Sequence, residues 1–479
     1  MSAAELAGRI RAREVSPSEA VEAYLRRIEG VNPALNAVVT LAPDALERAR
    51  EASAAVARGE TVGPLHGVPL TVKDTIDVRG LPTSCGSRVR AGRVAEEDAP
   101  AVARLRAAGA ILLGKTNCPE FALDYTSENP LFGRTNNPYD HARTPGGSSG
   151  GCAAAVAACL TAGSLGSDLA GSIRIPAHFC GVAGLKPTAG RVPGAGHAPP
   201  LSGLHSLGAT LGPLARTVED LRLFFQVLTG ASRRAEAAAQ GSTAEGAETL
   251  KGLRVAFYAD DGAVPASSET RDAVRRAAQT LADAGMSVSE EVPPCVAGAT
   301  EMWLALFEYA TQRFVRRAYE GREEEAGRAA RVILERAARW GEPPLEKVLA
   351  AWEGRDLARA ALLGWMEATP LFVAPVGAVP AFGHEEYGRV EFEGRNVPTF
   401  RAFAYAHAAN VFDLPAVCVP AGADGAGLPV GVQIVGRPHE EWRVLAAARV
   451  VEEGLGGRRP PPEPAGDSEI LTNGGGNPL

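Results

Sequence analysis

The stretch "GGSSGGCAAAVAACL", residues 146–160, decides the fold, because it joins a loop of glycines and serines to a run of very small residues. A helix that is small and apolar all the way round has no polar face, so it must be buried, and it lets neighbouring backbone approach closely. The segment "LGSDLAGSIRIP" (residues 165–176) predicts a strand over residues 165–168, a tight turn at Ala170-Gly171 and a helix that opens at Ser172. A serine there lies beside unpaired N–H groups, which are the donors that a tetrahedral oxyanion needs.

Short apolar runs alternate with helical stretches on both sides of this segment. Such alternation predicts an α/β fold with a largely internal sheet. A capping box at Ser16 to Glu19 starts a helix that we expect to stop at Gly30, and a second helix fits residues 44–58. Further helices are predicted over residues 100–108 and 269–284, and strands over residues 70–72, 111–113, 253–258, 286–292, 371–374, 416–419 and 430–435.

The composition excludes several classes of function. The chain has 479 residues, of which 46% are hydrophobic and 22% charged, with a formal net charge of −7, so we expect no nucleic-acid partner. It contains no run of about 18 apolar residues and no secretory leader pattern, which predicts no membrane association and a cytoplasmic location. Its seven cysteines show no C-x-x-C spacing, so they are read as reduced thiols and no metal site is expected.

Two motif matches are discounted from their context. "GAILLGKT" (residues 109–116) fits the P-loop pattern, but its central residues form a buried strand rather than a loop that can surround phosphate. "GGSSG" (residues 146–150) fits the nucleophile elbow of α/β-hydrolases, with His178 as its best base, yet a polar, turn-rich segment precedes it where a strand is required. Cys180 lies in an apolar setting without a nearby base, which favours a structural thiol.

Lysine is rare in this chain, with five lysines among 49 basic Lys and Arg residues. Arginine cannot lose its proton at an accessible pH, whereas lysine can, so a retained lysine is a candidate base. Lys73 stands out because it lies in "GVPLTVKD" (residues 67–74) at the end of a predicted strand. Taken alone, Lys73 would be read as a strand-end lysine and Ser148 as a helix cap.

Three segments together resemble the amidase signature family of serine hydrolases. The family pattern has a lysine in G-V-P-x-x-x-K-D, a G-G-S-S-G-G loop and a second serine in D-x-G-G-S-I-R-x-P, 24 residues after the first serine of the loop. This chain has "GVPLTVKD", "GGSSGG" and "DLAGSIRIP", and the interval from Ser148 to Ser172 is 24 residues. The resemblance implies a mixed central β-sheet covered by helices on both sides. It also implies one catalytic domain over residues 1–460, composed of N-terminal helices (1–60), a signature core (64–215) and a variable helical region (300–368), with a flexible tail at 461–479.

The resemblance also implies the roles of the site residues. Ser172 would be the nucleophile that forms an acyl-enzyme, Lys73 the base and Ser148 the proton relay between them. The oxyanion donors would be the backbone N–H groups of Leu169, Ala170, Gly171 and Ser172, and an ion pair of Asp168 with Arg174 would support the turn. Alanine at position 170 departs from the family's usual glycine, which would be uncomfortable if that position required a positive φ.

Physical chemistry supports the same assignment of Lys73. A serine needs a neighbouring base, and a lysine can serve only when neutral, with its pKa lowered from about 10.4 towards about 7 to 8. Burial without a counter-ion produces that shift. Because strand residues alternate in direction, Asp74 should point away from the Lys73 amine. A hydroxyl both donates and accepts, so Ser148 can pass the proton on.

The predicted activity is hydrolysis of a carboxamide C–N bond, with a small-molecule amide as substrate and no cofactor or metal. An alternative is the A-type subunit of a glutamine-dependent glutamyl-tRNA amidotransferase, but no match to that protein is expected in the middle and C-terminal regions. The resemblance also implies a possible homodimer, because dimers are common in the family. The aromatic and apolar residues of the middle region either line an acyl pocket or form a helix core: Met302, Trp303, Phe307 and Tyr309.

Overall fold

An 11-stranded mixed β-sheet forms the centre of the computed structural model, which describes residues 1–60, 62–230 and 250–462. The strands in the described residues are β1 Val38–Leu41, β2 Pro69–Lys73, β3 Ile111–Thr116, β4 Glu128–Asn129, β5 Gly133–Arg134, β6 Gly163–Asp168, β7 Ala183–Lys186, β8 Thr210–Ala215, β9 Arg254–Phe257, β10 Ser287–Glu290, β11 Leu371–Pro375, β12 Arg389–Phe392, β13 Arg395–Pro398, β14 Ala416–Ala423 and β15 Pro429–Gly436. The order in the large sheet is β1-β3-β2-β6-β8-β7-β14-β15-β11-β9-β10, and β4–β5 and β12–β13 form separate hairpins.

Helices flank this sheet. The α-helices in the described residues are α1 Ala3–Arg11, α2 Pro17–Leu35, α3 Ala45–Ala57, α4 Pro100–Ala107, α5 Gly150–Ala157, α6 Arg174–Cys180, α7 Val218–Thr229, α8 Ser268–Asp283, α9 Ala299–Trp303, α10 Tyr309–Tyr319, α11 Arg328–Trp340, α12 Leu345–Met366, α13 Thr399–Ala402, α14 His407–Val411 and α15 Glu441–Gly454. A π-helical turn, Leu304–Glu308, joins α9 to α10. No helix of the described ranges is long and apolar enough to cross a membrane.

Two glycines of β6 show how closely helices cover both faces of the sheet. A Cβ at Gly163 would lie 2.3 Å from the ring of Phe224 in α7, and a Cβ at Gly166 would lie 2.8 Å from Ser149 Oγ at the start of α5. These two glycines point to opposite faces because strand side chains alternate. The predicted mixed sheet between helical layers is therefore confirmed.

The helix of small residues is buried as predicted. All eight residues of α5 are buried, and a Cβ at Gly151 would lie 2.4 Å from the carbonyl oxygen of Asn117. Only a glycine tolerates backbone at that distance. The close packing fixes the start of α5, and with it the loop that carries Ser148, against the edge of the sheet.

The elements around the site match the sequence expectations closely, with one clear error in the N-terminal helix. The capping box at Ser16 and Glu19 is present, but α2 passes through Gly30 and ends at Leu35, where Asn36 adopts a left-handed conformation. Apolar Val31 and Leu35 continue the buried stripe, so tertiary packing outweighs the glycine's cost of about 1 kcal/mol. The helical prediction for residues 300–368 is confirmed. The single domain over residues 1–460 stays a prediction, and most of the predicted tail (463–479) lies outside the described residues.

Candidate active site

Parallel strands bring the first two parts of the site to the same edge of the sheet. Strands β2 and β6 pair in parallel, with Val72 opposite Leu165, and Lys73 and Asp168 are their last residues. Side chains and loops that follow the carboxyl ends of neighbouring parallel strands meet at one crevice. The turn that carries Ser172 follows β6 directly, so the topology places it beside Lys73.

The amine of Lys73 is completely buried and contacts two hydroxyl groups. Its Nζ lies 2.6 Å from Ser148 Oγ and 3.0 Å from Ser167 Oγ. Burial lowers the pKa of Lys73, and this effect exceeds the opposing influence of the nearby thiols and Asp168. Within the described part of the chain, no carboxylate lies within ion-pair distance of this nitrogen. These are the conditions under which a lysine can hold a neutral amine.

Asp74 points away from Lys73, as strand alternation predicts. Its carboxylate lies 3.5 Å from the Nζ of Lys115 on the other face of the sheet and accepts a hydrogen bond from Ser84 Oγ at 2.5 Å. The carboxylate next in sequence to the candidate base is thus neutralised by a different lysine. Lys115 also donates to the Pro82 carbonyl oxygen at 2.9 Å, so its contacts are those of a structural residue.

The glycine-serine loop is shaped by close approach of backbone. A Cβ at Gly147 would lie 2.4 Å from the carbonyl oxygens of Asp124 and Thr126, so only glycine fits before Ser148. The peptide bond between Gly147 and Ser148 is cis. Ser148 is 1% exposed, and its hydroxyl faces both Lys73 and the cavity described below.

Ser172 lines the same cavity as Ser148. It is 8% exposed, and its carbonyl oxygen accepts a hydrogen bond from the Ser149 N–H at 3.0 Å, which links the serine loop to the second turn. Among the described residues, the hydrogen bonds of the site include none between the Ser148 and Ser172 hydroxyl groups. The structure therefore brings Lys73 and Ser148 into direct contact and places Ser172 in the same cavity, with the second link of the predicted relay not formed as a hydrogen bond.

The turn before Ser172 differs from the expectation at one residue. The Gly171 N–H donates to Asp168 Oδ1 at 2.9 Å, so the prediction that it serves as an oxyanion donor does not fit this geometry. The N–H groups of Leu169, Ala170 and Ser172 take part in no hydrogen bond among the described residues. They remain the available donors of the turn.

The alanine at position 170 is accommodated without strain. The positive φ of this turn is at Gly171, with a value of 96°, whereas the φ of Ala170 is not positive. The concern that alanine replaces a required glycine is therefore removed. The indole Nε1–H of Trp303 donates to the Leu169 carbonyl oxygen at 2.8 Å. Because a trans peptide directs its N–H opposite to its carbonyl group, this bond aims the Ala170 N–H away from Trp303.

Asp168 and Arg174 form the buried ion pair that the sequence predicts. The guanidinium of Arg174 contacts both carboxylate oxygens of Asp168 at 3.0 and 3.1 Å and also donates to Gln433 and Asn410 at 2.7 Å. Burial alone would raise the pKa of Asp168, but the charge and hydrogen bonds of Arg174 hold it below its usual value. Asp168 also accepts the Ile173 N–H at 3.0 Å, so the pair holds the turn together.

The cavity in front of the two serines has a volume of about 350 Å³ and a mainly apolar lining. Helix α11 and the segments that flank the β12–β13 hairpin contribute to its lining. The sequence assigns four residues of the middle region either to an acyl pocket or to a helix core. Of these, Trp303 lines this cavity, whereas Met302, Phe307 and Tyr309 do not. Other apolar lining residues, which no sequence motif indicates, are Phe121, Leu123, Leu201, Val332, Ile333 and Phe400.

The two discounted motifs have the structural contexts that the sequence predicts for them. Residues 111–116 of the P-loop match are the buried strand β3. The Nδ1 of His178 accepts the Gly431 N–H at 2.6 Å and its Nε2 lies 3.0 Å from the Val379 carbonyl oxygen, so neither nitrogen reaches a serine. Burial raises the pKa of the Cys180 thiol, which suits a structural residue.

Two polar residues of the site were missed by sequence reasoning. Ser167 contacts Lys73 directly, and His197 Nε2 lies 2.9 Å from Ser167 Oγ. Strand alternation could have suggested Ser167, because it precedes Asp168 on a strand adjacent to Lys73. His197 lies in a loop between β7 and β8, where no pattern indicates what it contacts. In the described ranges, no group of three or more His, Cys, Asp or Glu side chains is arranged to hold a metal ion.

Comparisons with known proteins identify the family of the chain. Residues 19–445 match the family model described as Amidase. The A subunit of the glutamyl-tRNA(Gln) amidotransferase of Anaeromyxobacter sp. (strain K) is 36% identical over an alignment that covers 95% of this chain and 96% of that protein. The expectation that the middle and C-terminal regions do not match such a protein was therefore wrong, because the similarity extends along nearly the whole chain.

Solved structures show the same architecture. An amidase crystal structure superposes with a TM-score of 0.84 at 32% identity and covers 95% of this chain and 100% of that one. A 6-aminohexanoate cyclic dimer hydrolase in complex with its substrate gives a TM-score of 0.83 at 30% identity, covering 96% and 98% of the two chains. Together with the family match over most of its length, these similarities establish that the chain belongs to the amidase signature family.

Proposed function

We propose that this protein hydrolyses carboxamides through an acyl-enzyme on Ser172, with Lys73 as base and Ser148 as relay. One observation carries the proposal: a fully buried Lys73 amine, with a lowered pKa and no carboxylate partner among the described residues, lies 2.6 Å from a hydroxyl group that shares a cavity with Ser172. Members of this family act on amide C–N bonds, and the arrangement supports that chemistry in this chain.

The first half-reaction follows from the order of these groups. Ser172 Oγ attacks the amide carbon as its proton moves to Ser148 Oγ, and Ser148 gives its own proton to Lys73 Nζ. The C–O bond that forms leaves a negative charge on the former carbonyl oxygen. Return of the proton from Lys73 through Ser148 to the leaving nitrogen allows the C–N bond to break, which releases ammonia or an amine.

The second half-reaction repeats the relay with water. A water molecule loses a proton along the same route, attacks the ester carbon and forms the acid, and the proton returns to Ser172 as the C–O bond of the ester breaks. The negative oxygen of both intermediates would be stabilised by N–H groups of Leu169, Ala170 and Ser172. Removal of one such donor typically costs about 10² to 10³ in kcat.

The cavity favours substrates with an apolar portion. Most of its lining is aliphatic or aromatic, and its charged groups have partners within the protein. Arg336 and Glu308 lie 3.4 Å apart, and Asp168 is held by Arg174. Burial of apolar substrate surface contributes about 25 cal/mol per Å² to binding, so an aryl or alkyl group beside the amide is well suited to this site. The seven cysteines are all free thiols, which fits action in the reducing cytoplasm.

A second candidate is the A-type subunit of a glutamine-dependent amidotransferase. It is favoured by the 36% identity to the A subunit of a glutamyl-tRNA(Gln) amidotransferase along nearly the whole chain. The same Ser172 chemistry would then release ammonia from glutamine for use by partner chains. A protein that works alone or as a homodimer would instead purify without such partners and hydrolyse simple amides.

One set of measurements tests the chemistry and separates the two candidates. A fluorophosphonate should add one label to the protein, map to Ser172 and fail to label Ser172→Ala, whereas Ser206→Ala, with an exposed hydroxyl, should label normally. Ammonia release is then compared for glutamine and for a panel of uncharged alkyl and aryl carboxamides. Turnover of the panel with none from glutamine supports the amidase. Labelling at another residue would overturn the proposal, and turnover confined to glutamine would favour the amidotransferase candidate.

A further inference from the structure

His197 is joined to the candidate base through a single hydroxyl group. Its Nδ1 lies 2.6 Å from the carbonyl oxygen of Pro199, and its Nε2 lies 2.9 Å from Ser167 Oγ. A carbonyl oxygen can only accept a hydrogen bond, so Nδ1 carries the proton of the neutral ring. Nε2 is then an acceptor, and the Ser167 hydroxyl must donate to it.

This tautomer fixes the direction of the next hydrogen bond. Because the proton of Ser167 is engaged with His197, Ser167 Oγ can only accept from Lys73 Nζ, which lies 3.0 Å away. A neutral amine has two N–H bonds and one lone pair. With an N–H directed to Ser167, the lone pair is left for the hydroxyl of Ser148, 2.6 Å from the same nitrogen.

We propose that His197 is a positioning residue that acts through Ser167 to direct the lone pair of Lys73 towards Ser148. The inference rests on the proposed function, because an oriented lone pair matters only if Lys73 is the base. His197 does not contact the reacting atoms through this network. It determines whether the hydroxyl group of Ser148 or that of Ser167 donates a hydrogen bond to the lone pair of Lys73.

The titratable groups around His197 and Lys73 leave the hydrogen bonds of Ser167 with both residues unchanged near neutral pH. Burial lowers the pKa of His197 to about 3, so its ring stays neutral. The titratable groups that face it are Lys73, His205, whose pKa burial also lowers, and Asp77, which is paired with Arg93. The groups that face Lys73 are the thiols Cys85, Cys118 and Cys152, kept neutral by pKa values that burial raises, and Asp168, which is paired with Arg174.

Loss of the acceptor has a specific consequence. In His197→Phe the Ser167 hydroxyl is free to turn and donate to the lone pair of Lys73, in competition with Ser148. That bond stabilises the neutral amine, so the pKa of Lys73 should fall further and the acid limb of the kcat/KM profile should move to lower pH. The plateau should fall at the same time, by about tenfold or more, because the base is occupied.

A double variant distinguishes this mechanism from simple loss of packing. Ser167→Ala removes the competing donor, so His197→Phe/Ser167→Ala should be more active than His197→Phe alone and similar to Ser167→Ala. A purely structural role predicts that the double variant is the least active of the three. An unchanged plateau and pH profile in His197→Phe, or a double variant worse than both single ones, would overturn the proposal.

Two further measurements cover the case in which His197→Phe fails to fold. In His197→Gln the side-chain oxygen can accept from Ser167, so this variant should keep the pH profile and recover most of the activity. The ¹⁵N NMR shifts of His197 in the unaltered protein should show a protonated Nδ1 and an unprotonated Nε2, and the reverse tautomer contradicts the inference. If Lys73→Ala is inactive while His197→Phe behaves normally, only the role of His197 fails; if Lys73→Ala is active, the proposed function fails as well.

Discussion

The carboxylate of Asp74 lies 3.5 Å from Lys115 Nζ, on the face of the sheet opposite to the amine of its sequence neighbour Lys73. Both lysines are fully buried, but only Lys115 has an anionic partner among the described residues. Burial lowers the pKa of both amines, and at Lys115 the charge of the adjacent Asp74 carboxylate opposes that shift. The candidate base Lys73 therefore has no carboxylate in ion-pair contact among the described residues.

Lys115→Met should destabilise the fold with little direct effect on the chemistry. The change leaves Asp74 buried without its cation, which typically costs about 3–5 kcal/mol in the free energy of unfolding. Urea unfolding monitored by circular dichroism measures this loss, and kcat per folded molecule should be largely retained. Lys115→Met/Asp74→Leu should recover much of the stability, because a buried pair replaced by apolar groups is often neutral. A stable but inactive Lys115→Met would show that the pair has a role in catalysis.

Lys73→Met should have the opposite pattern, with activity lost and stability gained. Removal of the base should lower kcat by about 10³-fold or more, and Lys73→Arg should fail equally because arginine stays protonated. The pKa of Lys73 is lowered on folding, so the unfolded chain binds the proton more tightly than the folded chain does. The contribution of this group to the free energy of unfolding therefore rises with pH, up to the ordinary lysine pKa. An apolar side chain removes that cost at neutral pH. Amide turnover and thermal unfolding of both variants provide the test; near-normal turnover in either contradicts the assignment.

Asp168→Asn tests the ion pair below the turn. Arg174 holds the pKa of Asp168 below its unfolded value, so the stability from this carboxylate is present above about pH 4 and is lost as the pH falls through the folded pKa. At pH 7 the variant should be less stable by about 3–5 kcal/mol, because Arg174 remains buried without its anion. The difference between the two proteins should shrink below about pH 4. Denaturant unfolding from about pH 2 to about pH 7 measures it, and a difference that does not change with pH would argue against this origin.

The sequence motifs indicated that Lys73, Ser148 and Ser172 lie close together, and the catalytic roles of these residues stay a prediction. The resemblance to the amidase signature family implied this set of residues and the ion pair of Asp168 with Arg174, whereas the burial of α5 follows from its run of small residues. The occupied N–H of Gly171 does not follow, because it depends on the rotamer of Asp168 in the folded turn. A backbone pattern shows where donors cluster, but not which of them are already bonded.

The missed features depend on contacts between distant segments. A Cβ at Gly212 in β8 would lie 2.1 Å from the Leu185 carbonyl oxygen. The neighbouring strand therefore requires a glycine at this position, although glycine is unfavourable in a strand. His197 lies in the segment between β7 and β8 and contacts Ser167, 30 residues earlier in the chain. The cavity lining combines side chains from widely separated parts of the chain. None of these contacts leaves a periodic signal in the sequence.

Two neighbouring substitutions, Gly171→Ala and Ala170→Gly, test the geometry of the turn as a matched pair. A Cβ at Gly171 would lie 2.6 Å from Ala406 Cβ and 2.7 Å from Ile175 Cδ1, and the φ of 96° is unfavourable for alanine. Gly171→Ala should therefore cost about 2 kcal/mol or more in stability and, by displacing the adjacent N–H groups, about 10²-fold in kcat. Ala170→Gly changes a position of ordinary φ and should cost only about 0.5–1 kcal/mol, through the greater freedom of the unfolded chain. Its loss of kcat should be much smaller than that of Gly171→Ala. Denaturant unfolding and amide turnover give both comparisons, and equal losses at the two positions would mean that the positive φ at Gly171 does not control the placement of the oxyanion donors.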